Sequence, residues 1–314
     1  MSAPEPAPLP SSRARRSPSP DRRGLVYGLG AYGLWGLIPI YFKAVATPPV
    51  ELLSHRVVWA LAMLLLVCLR QSLFGEVRAA FRSRRSLALL CGSTLLIAAN
   101  WLVYIWAVVN GRIVEGSLGY FMTPLVNVLL GVVILKERLD RPVMAALLVA
   151  AAGVLWISFQ SGRPPWISLS LAATFGLYGL LRKLVRVGAV AGLTVETALL
   201  FPLALAYLVS AHRRGALVFL SGSLGHDVAL VLAGPITAIP LLLFAGAARR
   251  LPLTSLGFLQ YLAPTLQFLV ATVLYREPFT RAQATGFGLV WAAIVIFAFH
   301  TLRRGAEDPV MEPE

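Results

Sequence analysis

The chain has 314 residues, 58% of them hydrophobic and only 13% charged, with a mean hydropathy of +0.75. This excludes an ordinary soluble domain and leaves no length for a catalytic domain beside the apolar segments. The net charge of +14 does not point to nucleic acid. The basic residues flank apolar segments, which is the pattern of topology signals and of contact with anionic lipid headgroups.

Residues 1–23 are rich in Pro, Ser and Arg. Such a segment cannot bury enough apolar surface to fold, so a disordered cytoplasmic tail is expected. The first apolar run is too long for a signal peptide and lacks a small-residue cleavage site. A spanning helix needs about 20 mostly apolar residues. Ten segments qualify: 24–46, 50–70, 87–109, 114–135, 142–160, 166–182, 190–210, 228–248, 252–275 and 281–302. The sixth is short and ends at Arg182-Lys183. Residues 305–314 are expected to be a second cytoplasmic tail. With the N-terminus inside, 20 of the 28 Lys and Arg fall on inner segments, 7 on outer ones, and Arg56 lies within a span. That bias predicts that both termini are cytoplasmic.

The chain also repeats itself about 140 residues apart. Ser117-Leu118-Gly119-Tyr120-Phe121, Pro124, Asn127, Lys136-Glu137 and Arg141 return as Ser255-Leu256-Gly257-Phe258-Leu259, Pro264, Gln267, Arg276-Glu277 and Arg281. Pro to Glu is 13 residues in both copies, and Glu to Arg is 4. Gly33-Leu34-Trp35-Gly36 similarly matches Gly176-Leu177-Tyr178-Gly179. The expected fold class is therefore an all-α polytopic membrane protein. It divides into a first five-helix repeat, 24–160, and a second, 161–304. An odd number of spans per copy inverts the second copy, as in many transporters whose site faces either side in turn.

Prolines at 39, 124, 202, 235, 240 and 264 each remove an amide donor and free a carbonyl. Pro124 and Pro264 predict a matched pair of kinks, and Pro39 and Pro240 are further candidates. Glycines of the first and sixth spans are read as close-packing positions.

Ionisable residues within spans are costly and raise a functional hypothesis. His55, Arg56 and Glu196 stand out, each only five to seven residues into its helix. Inversion puts His55 and Arg56 towards the outer face and Glu196 towards the inner. Snorkelling competes for Arg56. Glu196, a shorter side chain, is the better candidate for proton exchange. Amides and aromatics complete the candidate cavity: Trp35, Asn100, Trp101, Tyr104, Tyr120, Asn127, Tyr178, Gln260, Tyr261 and Gln267. Such a lining suits an aromatic or amphipathic solute, although the same residues also serve as helix–helix glue. Trp166 and Trp291 read as interface anchors.

No HExxH, G-x-S-x-G or Walker loop occurs, and no histidines have metal spacing. Cys68 and Cys91 lie inside apolar runs, where they read as small hydrophobes. No enzyme, cofactor or metal is expected. Alternatives are a non-transporting membrane protein, such as a lipid-modifying enzyme or regulatory subunit, and a carrier that uses no protons.

Several blocks resemble a known family. The run from Ala31 to Lys43, AYGLWGLIPIYFK, is similar to the first helix of RarD-type proteins, a branch of the EamA permeases in the drug/metabolite transporter superfamily. His55-Arg56-Val57-Val58-Trp59 and Asn100-Trp101-Leu102-Val103-Tyr104-Ile105-Trp106-Ala107-Val108 also resemble it. So do Glu115-Gly116-Ser117-Leu118-Gly119-Tyr120-Phe121 with Pro124-Leu125-Val126-Asn127, and Thr254-Ser255-Leu256-Gly257-Phe258 with Gln260-Tyr261 and Pro264-Thr265. The resemblance covers residues 24–302. It implies ten helices from two inverted EamA repeats, with a central cavity lined by the first four helices of each. It further implies transport of small metabolites or drugs across the bacterial inner membrane, without fixing a substrate; amino acids and chloramphenicol are the candidate solutes that fit an aromatic or amphipathic lining.

Overall fold

The structure is a computed structural model and describes residues 22–136, 141–162, 164–220, 223–251 and 253–307. The expected N-terminal tail before residue 22, Glu137, Arg138, Arg163 and the chain after residue 307 lie outside the described residues.

Every described element is a helix. In order they are α1 Arg22–Val45, α2 Pro49–Arg70, α3 Phe74–Arg82, α4 Arg84–Val109, α5 Ile113–Leu135 and α6 Arg141–Ser161. There follow α7 Trp166–Leu184, α8 Ala189–Arg213, α9 Leu224–Ala248, α10 Leu253–Leu259, α11 Leu262–Leu269 and α12 Arg281–Glu307. Among the described residues nine segments are long and apolar enough to cross a membrane, the broken segment Ser255–Leu274 counted as one. The sixth expected span, α7, is a 19-residue helix that falls outside that set because its last turn carries Arg182 and Lys183.

Local chemistry sets several boundaries. Pro49 starts α2, where a missing N–H costs nothing. Ser83 Oγ caps α4 by accepting from Ser86 N at 3.3 Å, and Ser223 Oγ caps α9 by accepting from His226 N at 3.3 Å. One element went unforeseen. The basic stretch after residue 70 reads as a loop, yet it holds α3, which buries Ala80 and packs on α4 and α8.

The matched prolines do not act alike. α5 runs unbroken through Pro124, and Pro39 and Pro240 also sit inside continuous helices. The ninth expected span instead divides at Gln260-Tyr261 into α10 and α11, and ends in a π-helical turn, Val270–Leu274. Pro264 has no N–H to give the Gln260 carbonyl four residues back. Chain length adds to this effect. Pro124 lies 7 residues after Ser117, but Pro264 lies 9 after Ser255. The two surplus residues fall in the interval where the helix divides.

The interfaces come in reciprocal sets. α1 packs on α9 as α7 packs on α4. α1 meets α11 as α7 meets α5, and α2 meets α9 as α8 meets α4. Two pairs join like to like: α2 with α8, and α6 with α12. Glycines permit the closest approaches. A Cβ on Gly36 would lie 2.6 Å from Leu266 Cβ, and one on Gly176 would lie 2.8 Å from Val126. Gly33, by contrast, faces open space. Gly36 and Gly176, 140 residues apart, thus approach Leu266 and Val126, which are also 140 apart, whereas the short sequence match has a spacing of 143.

Candidate functional site

α2 and α8 run antiparallel. Cys68 Sγ lies 3.3 Å from Thr194 Oγ1 near the start of α8, whereas Val57 packs with Leu200 and Ala204 further along it. Thirteen residues from His55 to Cys68 make about 20 Å at 1.5 Å per residue. Polar groups at His55 and at Glu196 therefore occupy opposite ends of the helix pair.

At the first end, Glu51 stands one helical turn before His55 and is 1% exposed. Its Oε1 accepts from Val218 N at 2.9 Å and Phe219 N at 3.3 Å, and lies 4.0 Å from His55 Nε2. The His55 ring packs 4.8 Å from that of Phe219, and its Nδ1 accepts from Trp59 Nε1 at 3.3 Å. His226 Nε2 lies 3.0 Å from Thr47 Oγ1 and 2.9 Å from Val45 O. These contacts draw the α8–α9 connection over the end of α2.

At the other end, Glu196 is 1% exposed. It accepts from Ser93 Oγ at 2.5 Å and from Tyr178 Oη at 3.3 Å, and Arg182 Nη1 lies 3.8 Å away. Gly192 makes room for this pair, since a Cβ there would overlap the Arg182 guanidinium. The four residues come from α4, α7 and α8, so the contact ties three helices together.

Arg56 follows His55 directly on α2, and its side chain is enclosed by the bundle. It is 5% exposed. Its Nε donates to Thr237 Oγ1 at 2.8 Å, and its guanidinium stands 4.1 Å over the Trp101 ring and 5.8 Å from that of Phe42. Tyr41, Tyr104 and Tyr120 are within electrostatic reach. Tyr41 Oη donates to Ala229 O at 2.8 Å, and Tyr120 Oη donates to Asn100 Oδ1 at 2.9 Å. Asn100 in turn donates to Leu171 O at 3.1 Å and Thr174 Oγ1 at 2.9 Å.

The remaining expected residues form a separate set around α1, α5 and α11. Gln267 is buried and its Nε2 donates to Trp35 O at 3.2 Å. The Trp35 ring packs 5.9 Å from Phe244. Tyr261 stacks on Phe121 at 6.5 Å, and Gln260 sits in the turn that divides α10 from α11. Asn127, matched to Gln267 in sequence, is exposed, so the two amides are not equally enclosed. Trp291 is not an end anchor. It sits mid-helix in α12 and packs 5.9 Å from Phe121 and 5.7 Å from Phe268. Trp166, at the start of α7, packs 5.4 Å from Trp106.

Sequence reasoning missed Glu51, Ser93, Arg182 and Thr237. Glu51 had a signal, its spacing four residues before His55. Arg182 sits at a span end, where a cation reads as a topology mark. A cleft of about 130 Å³ opens between α5, α6 and α12, lined in part by Arg112, Glu115, Ile157 and Phe287. None of the residues around Arg56 lines it.

Comparison with known proteins places this architecture. Residues 22–159 match the model of the EamA-like transporter family. "Protein RarD" of Streptomyces exfoliatus is 43% identical over 284 residues, covering 90% of each chain. "Uncharacterized transporter YojE" of Bacillus subtilis is 42% identical, covering 90% of this chain and 95% of its own. A Pseudomonas aeruginosa relative, "Chloramphenicol-sensitive protein RarD", is 30% identical with coverage of 90% and 95%. One solved crystal structure aligns with a TM-score of 0.55 and 20% identity, over 87% of this chain and 96% of its own, and shares the fold. Apolar helices, buried ionic clusters and these relatives agree: the chain is a multi-pass membrane protein of the EamA-like transporter family, of RarD type.

Proposed function

We propose that this protein is an inner-membrane permease that carries a small amphipathic or aromatic solute by alternating access. In this reading α7 completes ten spanning helices, arranged as two inverted five-helix repeats with both termini cytoplasmic. The observation that carries it is the reciprocity of three interface pairs, α1–α9 with α7–α4, α1–α11 with α7–α5, and α2–α9 with α8–α4. Rocking one repeat against the other would then open one end as it closes the other.

The clusters at the two ends are suited to act as gates. The Glu51 and His55 group closes the outer end by holding the backbone of Val218 and Phe219. The Glu196 group closes the inner end by joining α4, α7 and α8. Each has a small number of polar contacts that an opening motion can break and re-form.

Purified protein in proteoliposomes, offered radiolabelled aromatic amino acids and chloramphenicol, tests the proposal. Saturable flux down a solute gradient is expected, and no flux of any member under any gradient would overturn it. Glu196 is the residue proposed to exchange protons. Glu196→Gln is then expected to abolish flux driven by a pH gradient while leaving flux driven by a solute gradient. Undiminished pH-driven flux in that variant removes Glu196 from the role.

A further inference from the structure

Arg56 presents a problem that the protein alone does not solve. The charge of an arginine that is only 5% exposed in an apolar helix bundle is costly unless an anion or several acceptors compensate it. Yet no Asp or Glu comes within 4.0 Å of it among the described residues. Arg182, which is partly exposed, has its carboxylate in Glu196. For Arg56 one protein hydrogen bond is seen, from Nε to Thr237. That bond holds the guanidinium across α2 and α9 and leaves the two terminal nitrogens for another acceptor.

The surroundings are chosen for donors and rings. Of the three tyrosines within electrostatic reach, Tyr41 and Tyr120 spend their hydroxyls on protein acceptors. Tyr104 is 3% exposed, and its hydroxyl is buried with no hydrogen-bond partner. A buried hydroxyl left in that state costs about 1–3 kcal/mol unless something occupies it. The Tyr104 and Phe42 rings pack at 6.3 Å, and Phe42 also faces the guanidinium. A fixed cation and an orphan hydroxyl thus sit against a wall that includes half-buried Trp101. A planar guanidinium with free terminal N–H groups matches a carboxylate in geometry as well as charge.

We propose that Arg56 and Tyr104 form the subsite that holds the carboxylate of the transported solute, with the face of Trp101 taking its apolar or aromatic body. The inference rests on the permease reading and narrows its substrate class to organic carboxylates, amino acids included. Thr237 is then a positioning residue, since it acts by orienting Arg56.

The test uses full-length protein in nanodiscs and reads tryptophan fluorescence during titration with 3-phenylpropionate and with its neutral isostere 3-phenylpropanamide. The acid is expected to bind at least about 10-fold more tightly, the size of a charge-assisted hydrogen bond. Arg56→Gln is expected to erase that preference. Arg56→Lys, which keeps the charge but loses the fork, is expected to retain only part of it. Tyr104→Phe should weaken the acid several-fold and leave the amide unchanged. Equal affinity for acid and amide in the wild type, or no binding of either, overturns the proposal without recourse to any variant. A preference that survives in a folded Arg56→Gln protein also overturns it. Flux of both probes in proteoliposomes separates the two readings. Acid-selective binding without flux upholds the subsite and sinks the permease, while flux of the amide equal to that of the acid does the reverse.

Discussion

Glu196 and Arg182 meet across α7 and α8, and neither has another carboxylate or cation as partner among the described ion pairs. Truncating one member of such a pair leaves the other charge buried, which costs more than the pair is worth. Glu196→Gln and Arg182→Gln are each expected to lower stability in detergent, and the double variant to lose less than the sum. A thermal-unfolding double-mutant cycle should return a coupling of about 1–3 kcal/mol, scaled down because Arg182 is partly exposed. Additive losses would show that the 3.8 Å contact carries no weight. The same residues show what a sequence reveals at this scale. His55, Arg56 and Glu196 are legible because charge inside an apolar run is rare. Their partners are harder to see. Glu51 and Arg182 sit at span ends, where charge is ordinary, and Thr237 and Ser93 are polar residues of a kind that most spans contain.

Among the helices, close packing and breakage follow different sequence signals. Gly36 touches Leu266, so Gly36→Val should cost about 1–3 kcal/mol through overpacking. Gly33 has nothing within 4 Å, and Gly33→Ala should be neutral or gain up to about 1 kcal/mol from helix propensity. Thermal unfolding of both variants checks the pair, and equal effects would refute the assignment of Gly36 rather than Gly33 as the close-packing position. Composition could not choose between these glycines, because both lie in one apolar helix and only tertiary contact tells them apart. The division of the ninth span was partly legible in Pro264. The two residues inserted before it decide why α11 separates from α10 while α5 stays whole. Amides of 258–262 are therefore expected to exchange with deuterium faster than those of 118–122, their counterparts in α5. Equal protection would mean that the break closes in solution.

For the whole molecule, hydropathy made the long apolar helices legible, because a bilayer admits few backbone solutions. α3 escaped notice because a short amphipathic helix is neither apolar enough to span nor distinct from a basic loop. The proposed inverted arrangement makes a labelling prediction. Cysteines at Arg214 and Arg112 should react with a membrane-impermeant maleimide in intact cells, and cysteines at Arg85 and Arg249 only after permeabilisation. The central claim is that one pathway opens at its two ends in turn. Thr47 Oγ1 and His226 Nε2 lie 3.0 Å apart at the proposed outer end, so cysteines placed at both, with Cys68 and Cys91 replaced by serine, can be bridged by a short bis-thiosulfonate reagent that forms a disulfide with each. Solute counterflow in proteoliposomes should stop on bridging and return on reduction, whereas flux unchanged by the bridge would contradict the account.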